Sequence, residues 1–295
     1  MLKFQSAMEY LMTYGWAILA IAIVMVSLYS LGIFNSGSLQ PVAAPGSCEV
    51  VRTAAQTSLA GQCSNLIPKY IGQFNGNAQV AVSWAQAGSA YTFTFWEYDN
   101  MQSCVSPTVI MSIWQSGGFH GSTMGVKDCP SPSFIFKNVT SYGNYGQLTP
   151  IVFRAWEFVS VNLNNTNGNA NITVINSSGT YSTVQTFGGN GNLFYTPSTV
   201  VDIGGGNGGS LWTGYLANIQ VYNVSLDKAS LTSLYNEGIG GAPINPQKTV
   251  AWWPLNGNMN DYSGNNYQGV NTIGGGAVQP VVWNANWQST YTGPT

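Results

Sequence analysis

"GYLANIQVYNVSLDKASLTSLYNEG", residues 214–238, sets a strand and a helix end to end. Up to Leu226 the β-branched and aromatic residues recur (Tyr215, Ile219, Val221, Tyr222, Val224), which suits a pleated, half-buried surface. Beyond it the period changes. Leu231, Leu234 and Tyr235 fall on one helical face, Ser225 is placed to cap the helix N-terminus, and Gly238 stands just past its end. A chain that makes one short helix after a long strand must find a sheet for that strand, so the flanking sequence has to supply partners.

It does. "QVAVSW" (79–84), "YTFTFWEY" (91–98), "TVIMSIWQ" (108–115), "SFIFKNV" (133–139), "RAWEFVSVNL" (154–163), "NITVINSS" (171–178) and "YSTVQTF" (181–187) carry the same residue types, often in alternation. Turn clusters such as "NNTNGNAN" and "FGGNGN" separate them. Short strands in series predict a mainly β fold, an antiparallel β-sandwich or jelly roll. Composition agrees: 6% of residues are charged against a usual share of about 25%, aromatics reach 13%, and glycine is abundant. A disordered chain would be charged and poor in aromatics. Eight Lys plus Arg and a net charge of −2 exclude a phosphate-binding surface, so nucleic acid is not expected as a partner.

The cysteines Cys48, Cys63, Cys104 and Cys129 form no CxxC, and His120 is the single histidine, which argues against zinc. Four cysteines allow three pairings. The sequence-local one, Cys48–Cys63 with Cys104–Cys129, is expected of an exported domain, and buried free thiols are the alternative. N-glycosylation sequons begin at Asn138, Asn164, Asn171, Asn176 and Asn223. Together with the even cysteine count they point to an extracytoplasmic address.

The N-terminus carries a second signal. Leu11 to Phe34 is uncharged, long enough as a helix to span about 36 Å against a hydrocarbon core of about 30 Å. A secretory signal peptide has a shorter apolar region and a small-residue cleavage site. A plain single-span anchor fits the length, but Glu9 sits at the apolar margin, where a carboxylate is costly unless neutralised. Residues 35–47, "NSGSLQPVAAPGS", read as a hinge. The expected division is therefore a helix at 1–34, a linker at 35–65 holding Cys48 and Cys63, and a sandwich at 66–295.

The stretch "KFQSAMEYLMTYGWAI" (3–18) resembles the class III signal peptide of archaeal type IV pilin-like proteins, matching at Gln5, Ser6, Ala7, Glu9 and Tyr10 and departing at Phe4, where the family most often has Gly. The resemblance covers about the first 30 residues. It implies cleavage between Phe4 and Gln5 by a membrane prepilin peptidase, with the apolar helix kept on the mature chain. Glu9 would then pair with the new α-ammonium of a neighbouring subunit, since two opposite charges enter an apolar bundle at far less cost than either alone. Small residues Ala17, Ala20, Ala22 and Ser27 would let such helices approach closely.

Three phrases, "WEFVSVNLNNTNGNANITVINSSG", "LWTGYLANIQVYNVSLDKASLTSLYNEG" and "AWWPLNGNMNDYSGNNYQG", are similar to the concanavalin A-like, laminin-G-like (LamG) domain, over roughly residues 66–275. The resemblance implies a two-sheet jelly roll of the kind used to bind glycans or protein surfaces. The phrase from Trp253 to Gly269 usually opens such domains, yet here it follows the helix. Either the strand at Trp252–Leu255 joins its own sheet by circular permutation, or it pairs with the edge of an adjacent subunit.

Candidate chemistry is sparse. Glu97 and Asp99 in "FWEYDN" are two apart on one strand face and form the best pair for glycoside hydrolysis. Related hydrolases carry a third acid where Met101 stands, and a polar strand end explains the pair without catalysis. Trp84, Trp96, Trp114, Trp156, Trp212, Trp252, Trp253, Trp283 and Trp287 are candidates for stacking on sugars or for the core. "NMNDYSGNN" offers Asp261 with Asn258, Asn260 and Asn265, oxygen ligands suited to calcium, and a turn held by Asx hydrogen bonds explains the same residues. No other cofactor is expected. The reading is a non-enzymatic filament subunit, first in the membrane and then on the cell surface, whose head binds a glycan or surface protein. The alternatives are a non-polymerising membrane-anchored binding protein and, third, a glycan-active hydrolase.

Overall fold

The computed structural model describes residues 3–30, 43–76, 78–84, 88–100, 108–115, 121–127, 133–138, 145–186, 199–205, 210–271 and 280–294. The chain forms two compact units, Met1–Val42 and Ala43–Thr295.

The first unit contains helix α1, Lys3–Ser30. Its described side chains, Met12 and Tyr14 to Ser27, are all exposed, Trp16, Ile18, Ile21 and Val26 each by more than 60%. Ser27 hides its hydroxyl by donating to Ile23 O at 2.7 Å. Among the described residues no helix is long and apolar enough to cross a membrane. The continuous run of described side chains reaches about 21 Å, short of a hydrocarbon core, and the crossing expected from Leu11 to Phe34 extends into residues 31–34, outside the described residues. Phe4, Gln5 and Glu9 fall on this helix, but their side chains lie outside the described set.

The second unit is mainly β. In chain order its strands are β1 Cys48–Arg52, β2 Thr57–Gly61, β3 Ile71–Asn75, β4 Val80–Trp84, β5 Ala90–Asp99, β6 Thr108–Gln115, β7 Gly121–Lys127, β8 Ser133–Asn138 and β9 Tyr145–Pro150. They continue with β10 Trp156–Asn164, β11 Asn169–Asn176, β12 Gly179–Thr186, β13 Thr199–Ile203, β14 Ser210–Leu211, β15 Thr213–Tyr222, β16 Thr249–Trp253, β17 Val270–Asn271 and β18 Val282–Asn284. Helix α2, Lys228–Glu237, lies between β15 and β16. One sheet runs β12-β11-β10-β5-β15-β3-β18 with β16 also on β15; the other runs β17-β4-β13-β6-β7-β8-β9 with β14 on β6. Apart from the short parallel pair β14–β6, every strand pair within the sheets is antiparallel.

Alternation along the strands builds two cores on opposite faces of the first sheet. Tyr91, Phe93 and Phe95 of β5 and Val159, Val161 and Leu163 of β10 meet Val80, Ile113 and Val201 from the other sheet. The intervening Trp96, Trp156 and Phe158 face outward onto Leu231, Leu234 and Tyr235 of α2 and onto Trp287 in the 3-10 turn Trp287–Thr290. In β15 the alternation slips once. Leu216 and Ile219 both face the inter-sheet core because the register shifts between Ala217 and Gln220, with Asn218 at φ 51°. Simple period-two counting misplaces every later side chain of that strand.

All the strand runs expected from the sequence are strands, and the three helix residues Leu231, Leu234 and Tyr235 are buried together. The N-cap expectation is corrected. Asp227, not Ser225, caps α2, its side chain accepting from Ser230 N at 2.8 Å; hydrogen bonds from the Ser230 hydroxyl and N–H hold its carboxyl below the usual range. The helix cannot start earlier because Leu226 is tied to the sheet: its N–H donates to Thr92 Oγ1 at 2.9 Å and its carbonyl accepts from Asn162 Nδ2 at 3.0 Å. The strand around Trp252 and Trp253 is β16, in register with β15 of its own chain (Ile219 opposite Trp253), so the pairing with an adjacent subunit gives way to closure within the domain.

The stretch read as a linker divides. From Ala43 onward it belongs to the sandwich unit, with β1 and β2 forming a hairpin over a small cluster of Cys48, Val50, Leu66, Ala242 and Trp252. Its strands hold few apolar residues, Val50 and Val51 in β1 and Leu59 in β2, too few for a strand signal. Cys48 and Cys63 form a disulfide across a separation of 15 residues. Cys104 and Cys129 lie outside the described residues. Closing a loop of this length contributes about 3 kcal/mol in the chain-entropy account. Cys48→Ala with Cys63→Ala is therefore expected to lower the urea-extrapolated unfolding free energy by about that amount, and a loss too small to measure would show that the hairpin holds without the bridge.

Candidate functional site

Helix α2 ends at Gly238, whose φ of 79° reverses the chain and whose N–H returns to Tyr235 O at 3.0 Å. Two residues on, Gly240 lies so close to Leu66 O that a Cβ would stand 2.1 Å from it, so only glycine lets this turn seat against the loop at 65–67. The C-terminal segment completes the wall: Tyr291 accepts from Ile239 N at 3.0 Å and packs edge-on against Trp96 at 5.5 Å. Between these three segments opens a cleft of about 470 Å3. Its rim is polar, with exposed Asn65, Asn236, Glu237 and Gln288, and its walls include Ile67 and Tyr291. Burial raises the Tyr291 hydroxyl to about 12, so it stays a neutral phenol across the physiological range.

The Asp261 loop is a hydrogen-bonded knot. Asp261 Oδ1 accepts from Trp252 N at 3.0 Å and Ser263 N at 2.8 Å; Oδ2 accepts from Ser263 Oγ and Tyr267 N, both at 2.8 Å. Asn258 Oδ1 accepts from Asn260 N at 3.0 Å, an Asx turn, and Asn265 Nδ2 donates to Val250 O at 2.7 Å. A calcium ion at Asp261 would have to displace donors aimed at both carboxylate oxygens. Among the described residues no group of three or more His, Cys, Asp or Glu is arranged to hold a metal.

Glu97 and Asp99 stand at one end of the inter-sheet core, each 1% exposed, and sequence reasoning missed the third acid beside them. Glu157 of β10 is directly opposite Glu97 and fully buried. Its Oε1 accepts from Asn176 Nδ2. Burial, opposed by the hydrogen bonds from Asn176 and the Val152 backbone and reinforced by the charge of Asp99, raises the Glu157 carboxyl to about 7. Hydrolysis needs paired carboxyls across an open cleft; these are closed inside the sandwich.

No protein-family model and no curated protein matches the chain. Solved structures do. A putative carbohydrate binding protein from Bacteroides ovatus superposes with a TM-score of 0.52 at 15% identity, over 79% of this chain and 65% of that one. The likeness is one of fold, an antiparallel β-sandwich of two sheets. The enzymatically active domain of tailspike protein 2 from bacteriophage CBA120 gives a TM-score of 0.52 at 12% identity, over 77% of this chain and 35% of that one. Domains LG4-5 of the mouse laminin α1 chain give 0.40 at 16%, over 65% and 48%.

Within this β-sandwich most of the candidate tryptophans are core. Trp96, Trp156, Trp212, Trp252, Trp253 and Trp287 are buried and Trp283 is half-buried, while the side chains of Trp84 and Trp114 lie outside the described set. Of the sequons, Asn223 is exposed. Asn164 and Asn171 are half-buried and hold Thr166 N and Ser182 Oγ through their side-chain oxygens. The side chain of Asn138, on β8, lies outside the described set. Asn176 is 6% exposed and its Nδ2, the atom a glycan would use, donates to Glu157 Oε1. The cleft residues Asn236, Glu237, Gln288 and Tyr291 escaped the sequence reading. The available signal was Glu237 itself, an acid in a helix's last turn with no base beside it.

Proposed function

We propose that this chain is a cell-surface binding protein: a laminin-G-like head that takes up a glycan or protein ligand, carried on an N-terminal helix that rests in the membrane and then enters a filament core. The carrying observation is the sandwich with a formed cleft on one face, because the fold is shared with a putative carbohydrate binding protein and the clustered acids Glu97, Asp99 and Glu157 are buried. The Cys48–Cys63 disulfide supports an oxidising, extracellular address for the head. The helix supports the anchoring half: the described side chains of α1 carry no charge and are exposed, and an apolar helix surface suits a bilayer or a bundle of helices.

The finer assignment to a pilin-like filament rests on Glu9 and on the stretch from Gln5 to Tyr10. Cleavage before Gln5 would make an α-amine that pairs with Glu9 of the next subunit, so Glu9→Ala is expected to abolish filaments while leaving membrane-bound protein at normal yield. N-terminal sequencing of surface protein should begin at Gln5. A mature chain that begins earlier, or filaments at normal yield from Glu9→Ala, would leave the non-polymerising anchor, which Phe4 in place of the family's usual Gly favours.

A further inference from the structure

The cleft beside the end of α2 has an electrical character that narrows its ligand. A helix C-terminus presents unpaired carbonyls and carries about half a negative charge. Proteins commonly place Lys or Arg there; α2 has no base in its last turn and ends on Glu237, which lines the rim. An exposed acid at that position is locally unfavourable, and breaches of local rules concentrate where a surface is shaped for a partner. Asn236 and Gln288 add amide donors and acceptors around the same opening, and no lysine or arginine lines it. The walls supply apolar contact from Ile67, which is 40% exposed, and from the half-buried ring of Tyr291. The aromatic lining is continuous: Trp287, 2% exposed, also lines the cleft and packs against Tyr291 with ring centroids 5.7 Å apart.

We propose that this cleft is the ligand site of the head and that it takes a neutral saccharide. The assignment rests on the reading of the head as a binding module. Sugar hydroxyls donate to the Glu237 carboxylate and exchange hydrogen bonds with Asn236 and Gln288, while an apolar C–H face lies on Tyr291. The volume falls within the range of about 300–1,000 Å3 usual for small-ligand sites. Acidic sugars are rejected, because a sialic acid carboxylate would meet both Glu237 and the negative helix end.

The test uses the full chain in detergent on an array of neutral oligosaccharides ending in glucose, galactose, mannose or N-acetylglucosamine, together with their sialylated counterparts. Neutral probes are expected to bind and sialylated ones not. Glu237→Lys is expected to weaken that binding at least tenfold and Asn236→Ala several-fold. Glu237→Lys also places a cation at the helix C-terminus, so its melting temperature should be unchanged or raised, which separates lost binding from lost folding. Neutral sugars bound equally by wild type and both variants would overturn the site while leaving the binding-module reading standing. A preference for sialylated probes would overturn the charge argument, and an array with no bound sugar would overturn the assignment to saccharide altogether.

Discussion

Asp261→Ala is expected to lower the unfolding free energy by about 4 kcal/mol or more at neutral pH, read from urea denaturation. The side chain is 9% exposed and accepts four hydrogen bonds, three from backbone N–H groups of Trp252, Ser263 and Tyr267. Alanine leaves those donors buried without an acceptor, and each such loss costs about 1–3 kcal/mol. The damage spreads beyond the loop. Trp252 is opposite Gln220 in the β16–β15 pairing, and its indole Nε1 donates to Asn218 Oδ1 at 2.8 Å, the residue that forms the β15 bulge. Asn218 in turn donates to Gly241 O at 2.8 Å, just past α2. Asp261→Asn keeps one oxygen but turns an amide toward donors, so about half the loss is expected. Burial disfavours the charge of Arg52, while Asp261 favours it. Arg52 donates to Ser263 O at 2.9 Å and to Thr249 O, so it should become less well held in both variants. Calcium and chelator should both leave the wild-type midpoint unchanged. An alanine variant within about 1 kcal/mol of wild type would mean that the closing strand does not depend on the knot.

Which parts of this were readable beforehand follows from the range of each interaction. Strands such as Tyr91–Tyr98 and Trp156–Leu163 announce themselves because burial on both faces favours β-branched and aromatic residues at most positions, a local property of the sequence. The faces of α2 are local too. Strands β3, β7 and β13 were passed over because they are short or glycine-bearing, or because tertiary pairing and not composition decides them. The start of α2 was misplaced by two residues because Thr92 and Asn162, far away in the chain, hold Leu226 extended. Sites follow the same logic. Asp261 was visible as an oxygen-rich loop, but only the fold shows that backbone donors fill it. Glu157 was invisible as a partner of Glu97 because their opposition depends on which strands become neighbours. The cleft is the extreme case, built from segments around residues 66, 238 and 291 that share no local pattern.

Glu157→Gln is expected to stabilise the domain at pH 8 by about 2–3 kcal/mol, a rise in melting temperature of roughly 5–10 °C for a domain of this size. The sign follows from the direction of the shift. Glu157 is raised from an ordinary 4.5 to about 7 in the folded state, chiefly by burial. Below pH 4.5 the carboxyl is protonated both folded and unfolded, and its ionisation adds nothing to either side. Between 4.5 and 7 the unfolded chain releases the proton while the fold retains it, so stability falls as pH rises; above 7 the full loss, about 3 kcal/mol, is in place. Glutamine keeps the oxygen that Asn176 donates to, and its amide can donate toward the Glu97 carboxyl directly across the strand pair. The charge of Asp99 also acts on Glu157, so the difference between variant and wild type is the meaningful quantity, growing from near zero at pH 4 to its full size at pH 8. A difference that stays constant across that window would assign the effect to packing and remove ionisation from the account. The same experiment bears on function, because a buried acid that costs stability near neutrality and lies outside the lining of the α2 cleft is carried by the architecture of the sheet. Glycan binding by Glu157→Gln should therefore match wild type, and lost binding with intact folding would reopen the case for chemistry among these carboxyls.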